Sequence, residues 1–323
     1  MKYPKLQELL PDGQIYENTH MNTLEAFLPT GGFDTAHGPG LLEAENGDLI
    51  CVWFAGSFEG NADIHIVSSR LPKGSDRWEP VVLFPEEGTF CRQPIQILSN
   101  GRWIMGNWIC TDSADGLAGD PTAFRISDDG GKTWRRVDMP RSNGRVHANV
   151  VELENGNLVA FMRSRAADNI YISHSGDYGD TWTEPKPTVL PNNNSSISAV
   201  KLQSGRIAIA YNPTHAPNAD PNGCAWPGLR CPVAVALSED GGETWPMIRH
   251  MELGEGFVGS ENSTNNLTYE YPYIMQSRDG RLHLAYAYRN RKGVKWMSFT
   301  EADVMGAKRE KNGRYNPTSA QIS

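Results

Sequence analysis

A chain of 323 residues with 39% hydrophobic content, 9 Trp, 11 Tyr and 10 Phe is long and apolar enough for one large packed domain. Its formal net charge of −8 excludes a nonspecific nucleic-acid binder, whose affinity comes from Lys and Arg on phosphates, yet leaves room for a few local arginines to hold a carboxylate. No run approaches the roughly 18 apolar residues of a membrane span, the N-terminus MKYPKLQELLPDGQ has no apolar leader, and the five cysteines form no CxxC pair, so a cytoplasmic protein with reduced thiols is expected.

The 32 Gly and 21 Pro punctuate the chain for many short strands. In chain order, turns at Asn46-Gly47, Asn100-Gly101, Asn155-Gly156, Ser204-Gly205 and Asp279-Gly280 are each followed by a short apolar run: DLICVWF, RWIMGNW, NLVAFM, RIAIAY and RLHLAY. A glycine turn followed by such a run is a hairpin signal, because Gly supplies the positive φ that the turn needs. Between the hairpins lies a second repeat, Ser-x-Asp-x-Gly-x-Thr-Trp, at Ser127–Trp134, Ser175–Trp182 and Ser238–Trp245, with a weaker relative at Ser69–Trp78. In this box Asp accepts backbone N–H bonds, Gly takes positive φ and Trp folds back as an apolar plug.

Repeats at this spacing predict an all-β, six-bladed β-propeller in a single domain spanning residues 1–323. Five hairpins give five blades. A sixth is expected where the C-terminal strand near 294–300 pairs with N-terminal strands near 24–29. The boxes are expected on the outer rim and carry fold, not chemistry.

If each hairpin is the inner pair of its blade, the residue about nine places before its glycine sits at one mouth of the propeller. That count gives Arg92, His147, Ser196 and Tyr271, with His37 ten before Gly47. About seven places after the glycine the return strand reaches the same mouth at Phe54, Trp108, Arg163, Asn212 and Ala287. A sheet interior rarely carries so many ionisable groups unless they are paired or functional. No metal-ligand spacing, phosphate loop or dinucleotide fingerprint is present, so no cofactor is expected.

With the boxes and these residues in view, the sequence resembles the sialidase (neuraminidase) superfamily, in particular its bacterial branch with Asp-box (BNR) repeats. That resemblance implies a glycan substrate ending in an acidic sugar, a carboxylate clamp of arginines and a tyrosine nucleophile. Arg163 in VAFMRSR and Arg230 in GLRCPVAVALSEDGG resemble two clamp arginines, with Arg165 a competitor for the first. Tyr271 in YEYPYIMQSRDG resembles the nucleophile. His37 of His37-Gly38-Pro39 occupies the slot of the remaining arginine, and His147 of HANVVEL occupies that of the tyrosine's partner glutamate. Asp63 in EGNADIHI resembles the acid/base aspartate, with Glu59 behind it.

These residues define three expectations. The first is an exo-glycosidase releasing a sialic-acid-like or uronic sugar, with Tyr271, His147, His37 and Asp63 catalytic and Arg163, Arg230, Arg92 and Trp108 binding substrate. The second is a polysaccharide lyase that uses a His/Tyr pair for β-elimination at a uronate. The third is a non-catalytic glycan-binding propeller, favoured if Tyr271 and both histidines are buried.

Overall fold

The computed structural model describes residues 10–19, 21–57, 63–87, 92–109, 116–130, 132–216, 219–220, 223–225, 230–252, 269–288 and 291–307. Strands β1 (Tyr16–Asn18) and β2 (Thr23–Phe27) come first. Four antiparallel sheets then form in succession. The first comprises β3 (Thr35–Glu43), β4 (Leu49–Gly56), β5 (His65–Leu71) and β6 (Val82–Glu87). The second comprises β7 (Gln96–Ile97), β8 (Trp103–Trp108), β9 (Thr122–Ser127) and β10 (Arg135–Asp138), and the third β11 (Arg145–Glu154), β12 (Asn157–Ser164), β13 (Asn169–Ser175) and β14 (Lys186–Pro191). The fourth comprises β15 (Ser198–Lys201), β16 (Ile207–Tyr211), β17 (Val233–Ser238) and β18 (Met247–Glu252). Finally β19 (Glu270–Gln276), β20 (Leu282–Tyr288) and β21 (Gly293–Phe299) join β1 and β2 in the order β1-β2-β21-β20-β19, and helix α1 (Glu301–Met305) follows on a Thr300–Asp303 capping box.

The fold is an all-β propeller with five blades among the described residues, which corrects the expected six. The strands assigned to a sixth blade do pair, Leu24 with Ser298 through Phe27 with Lys295. But β21 also pairs along its whole length with β20, from Phe299 with Leu282 to Gly293 with Tyr288. The terminal strands therefore complete the sheet of the fifth hairpin. All five turn glycines that announced the hairpins adopt positive φ: 86° at Gly47, 85° at Gly101, 82° at Gly156, 87° at Gly205 and 85° at Gly280.

The boxes link the third and fourth strands of their sheets. In each, the serine hydroxyl donates to the aspartate, at 2.8 Å for Ser127–Asp129 and Ser175–Asp177 and 2.7 Å for Ser238–Asp240. The threonine backbone N–H and hydroxyl donate to the two carboxylate oxygens, as in Thr181 to Asp177 at 2.8 and 2.6 Å. The side-chain bond from Thr133, then its backbone N–H, hold Asp129 down to about 2. Burial pushes Asp177 and Asp240 up, but the same threonine bonds outweigh it and leave both below the ordinary carboxylate value. Trp182 then stacks on Phe124 at 4.2 Å, and Trp245 packs edge-on against Phe161 at 5.7 Å.

The chain divides into two compact units, one from Met1–Cys91, Leu229–Ala236 and Met247–Ser323, the other from Arg92–Gly228 and Leu237–Pro246. The first packs around Trp53, Trp78 and Trp296, and Trp78 is the tryptophan of the weaker box. Its buried Lys295 meets two buried carboxylates, Glu25 at 3.0 Å and Glu252 at 2.9 Å, so one ammonium serves two acids. The second packs around Phe124, Ile126, Val150, Leu158, Met162 and Trp182.

Candidate active site

Three first strands share one irregularity. In β3 the register jumps from His37↔Phe54 to Gly40↔Val52, in β11 from Val146↔Arg163 to Asn149↔Phe161, and in β19 from Glu270↔Ala287 to Tyr273↔Ala285. Each jump is a β-bulge with one extra residue, a device that re-aims side chains beside functional sites. The residue that turns the chain has positive φ: 64° at Gly38, 57° at His147 and 52° at Tyr271. At Gly38 an added Cβ would lie 2.7 Å from the Phe54 ring, so only glycine fits. A bulky side chain in this conformation costs about 1–3 kcal/mol, and such strain concentrates at functional sites. Among the three bulges, His147 and Tyr271 bear it.

In the first unit, β3 and β19 run side by side and bring their bulges together. The His37 and Tyr271 rings lie 4.1 Å apart, centroid to centroid, and Phe54 meets His37 edge-on at 5.1 Å. Glu270, the residue before Tyr271, is buried and gathers His37 and two guanidiniums. Its Oε2 lies 3.2 Å from His37 Nδ1, a close electrostatic contact without aligned hydrogen-bond geometry. Its Oε1 lies 3.1 Å from Arg230 Nη1, and Arg291 Nε donates to Oε2. The Arg230 guanidinium also stands 5.6 Å from the Tyr271 ring centroid. Two guanidiniums share one carboxylate, so the cluster keeps net positive charge even with His37 neutral. His37 and Arg230 are buried, and Tyr271 is half-buried.

Asp63 lies in the same unit, after β4. Its carboxylate accepts the Ser57 backbone N–H at 3.1 Å and the Ser57 hydroxyl at 2.9 Å, the bonds of a turn-closing aspartate. Glu59 is outside the described residues.

In the second unit, His147 is buried against Trp108 with ring centroids 4.4 Å apart. Its Nδ1 lies 3.0 Å from Ser196 Oγ, and the same oxygen accepts Arg92 Nε–H at 2.6 Å. Gln93 donates to the His147 carbonyl at 3.2 Å and the Ile197 carbonyl at 3.0 Å. Arg163, opposite Val146, is buried and donates through Nε to Asn194 Oδ1 at 2.6 Å. Asn194 itself has φ of 57° and donates to the Ala225 carbonyl at 2.7 Å. The competitor Arg165 faces buried Asp120 at 3.7 Å, which marks it as an ion-pair residue.

The sequence-predicted residues thus fall into His37, Arg230 and Tyr271 in one unit and Arg92, Trp108 and His147 in the other, with Asp63 and Arg163 in their own surroundings. The nine-residue count located the bulge at Gly38, His147 and Tyr271, while the residue opposite the seven-after position is ten before the glycine. His37 is therefore the bulge's neighbour, equivalent to Val146 and Glu270. Sequence reasoning missed Glu270, Arg291, Gln93 and Asn194, and it placed Ser196 at a strand start without a role. Ser196 had a spacing signal and Glu270 an adjacency to Tyr271. Arg291, in the turn before β21, had none.

The BNR repeat-like domain matches residues 84–284. The chain belongs to that family. This BNR repeat-like chain is 29% identical over 137 residues to a sialidase of Bacteroides fragilis, an overlap of 40% of this chain and 23% of that protein. Among solved structures, it aligns with a Dyadobacter fermentans protein of unknown function at TM-score 0.63 and 14% identity, covering 85% of this chain and 97% of the other. The Hadza microbial sialidase Hz136 aligns at 0.53 and 16% identity over 83% of this chain and 53% of its own. NanB sialidase of Streptococcus pneumoniae aligns at 0.50 and 15% identity over 91% and 56%. The BNR repeat-like chain therefore shares the sialidase-type propeller fold, and it spans only part of the length of these sialidases.

Proposed function

We propose that this chain is a glycan-processing enzyme of sialidase type that acts on a terminal acidic sugar. The observation that carries the reading is the cluster on Glu270: a strained, half-buried Tyr271 tilted against His37, with two guanidiniums on the carboxylate that also faces His37. Arg230 and Arg291 supply fixed positive charge for a sugar carboxylate and for negative charge developing on the Tyr271 oxygen. Glu270 facing Nδ1 favours a proton on that nitrogen, which leaves the lone pair of neutral His37 on Nε2. His37 then takes up the phenol proton, directly or through one water, as the Tyr271 oxygen bonds to the anomeric carbon and the glycosidic C–O bond breaks. Asp63 is proposed to protonate the leaving oxygen, by analogy with the family. In the second unit we propose substrate-handling roles for His147, Arg92, Trp108 and Arg163, on the polar and aromatic character of their own surroundings.

The same His37–Tyr271 contact beside two arginines also supports β-elimination at a uronate, with the arginines acidifying the C–H next to the carboxylate. The binding-only reading loses ground because Tyr271 is half-buried, although both histidines are buried. Incubation with glycans ending in sialic acid or a uronate, followed by mass analysis, tests the proposal. Release of the acidic sugar with gain of one water supports hydrolysis, and an unsaturated product without water gain supports elimination. No turnover on any member of the panel would overturn the enzymatic reading.

A further inference from the structure

The hydrogen bonds around Ser196 fix where His147 carries its proton. Ser196 is fully buried, and among the described residues its hydroxyl meets two groups, Arg92 Nε at 2.6 Å and His147 Nδ1 at 3.0 Å. A guanidinium has no acceptor, so Arg92 donates and the serine oxygen accepts. The single hydroxyl hydrogen then has His147 Nδ1 as its acceptor. Were Nδ1 to carry a hydrogen, Ser196 would receive two donors and its own hydrogen would be left unbonded on a fully buried hydroxyl, a costly arrangement. The Arg92 direction is itself held, because Nη2 donates to the Ile197 carbonyl at 3.3 Å and the neighbouring Gln93 anchors both the Ile197 and His147 carbonyls.

We infer that His147 is held as the neutral tautomer with its hydrogen on Nε2, by Ser196 and Arg92 acting as positioning residues. Such a ring is a hydrogen-bond donor through Nε2 and has no free lone pair there. A neutral imidazole does not readily give up its last N–H proton, so His147 polarises or orients a bound oxygen without transferring a proton. This departs from the role of proton acceptor suggested by its place in the sequence. Arg92, Ser196 and His147, from three successive hairpins, thereby form one donor chain that leads to Nε2–H. The place of the proton is a property of the fold; its meaning for catalysis rests on the proposed function.

Imidazole nitrogen NMR on the full-length chain, with histidine isotope-labelled at both ring nitrogens, reads the tautomer directly. The His147 signals are assigned by their loss in His147→Gln. At neutral pH the wild type is expected to show a protonated Nε2 and a bare Nδ1. Ser196→Ala and Arg92→Met are each expected to replace this pattern with the averaged shifts of mixed tautomers, and Ser196→Thr to restore it, while the other histidines keep their resonances and so report an intact fold. A hydrogen on Nδ1 in the wild type, as neutral ring or imidazolium, overturns the inference. So does an unchanged pattern in a folded Ser196→Ala. Because the wild-type spectrum needs no substrate and no variant, it decides the point whether or not the glycan panel finds an activity.

Discussion

His37 and His147 have much in common: each is buried at a first-strand bulge, and each lies against an aromatic ring, Tyr271 for one and Trp108 for the other. They differ in what faces Nδ1. For His37 it is the Glu270 carboxylate, which can only accept and so draws the proton to Nδ1. For His147 it is the Ser196 hydroxyl, which Arg92 compels to donate and so keeps Nδ1 bare. In the proposed reading, that difference makes one ring a base at Nε2 and the other a donor at Nε2. The residue type and the backbone device do not settle the chemistry of a histidine; the donor count of its neighbour does.

The largest effect is expected at Tyr271, the tyrosine beside His37. Tyr271→Phe should lower kcat at least about 100-fold with KM little changed, since the hydroxyl acts in the transition state alone. Steady-state kinetics on a substrate from the panel checks this, and near-normal kcat would remove Tyr271 from the chemistry. Glu270→Gln should sharpen the contrast by taking away the charge that sets His37. It is expected to lower kcat at least about tenfold and to cost about 3 kcal/mol of unfolding free energy in urea, because two guanidinium contacts and the His37 contact lose their buried carboxylate. An effect on stability alone would reduce Glu270 to a structural role. Arg230→Lys is expected to raise KM about tenfold and leave kcat within a few-fold, because the ammonium lacks the planar fork that grips a carboxylate. A change confined to kcat would contradict its role as a clamp.

The smallest expected effect lies in an Asp box. Asp129 is held at about 2 by the Thr133 bonds, against about 4 in an unfolded chain. The stability it contributes is whole above the unfolded value and is lost as pH falls toward the folded one. Asp129→Asn should therefore lower Tm slightly at neutral pH and flatten its fall between pH of about 4 and about 2. A variant whose Tm falls as steeply as the wild type across that window would show that the box carboxylate is not the group being titrated.

The parts of the molecule legible in the sequence were those that backbone conformation dictates. Gly47, Gly101, Gly156, Gly205 and Gly280 announced five hairpins because only glycine accepts φ above 80° cheaply, and the Asp boxes announced their turns for the same reason. Counting back from those glycines found His147 and Tyr271, since strand length from turn to bulge is the same in both blades. The count could not show that the bulge adds a residue, which moved His37 one place off the equivalent position. It also made the terminal strands look like a blade of their own, because sequence spacing does not reveal that β21 already has β20 as a neighbour. Glu270, Gln93 and Asn194 were hidden for a different reason. Their roles come from long-range contacts of short polar side chains, and no periodicity marks them.

The most direct test of the contrast between the histidines is the pH dependence of kcat/KM for His37→Gln and His147→Gln, measured beside the wild type on the same substrate. If His37 is the base, its loss abolishes the fall in rate on the acid side. If His147 is a neutral donor, its replacement lowers kcat/KM at every pH and leaves the shape of the profile intact. An acid limb that disappears in His147→Gln and survives in His37→Gln would reverse the two assignments and contradict the account.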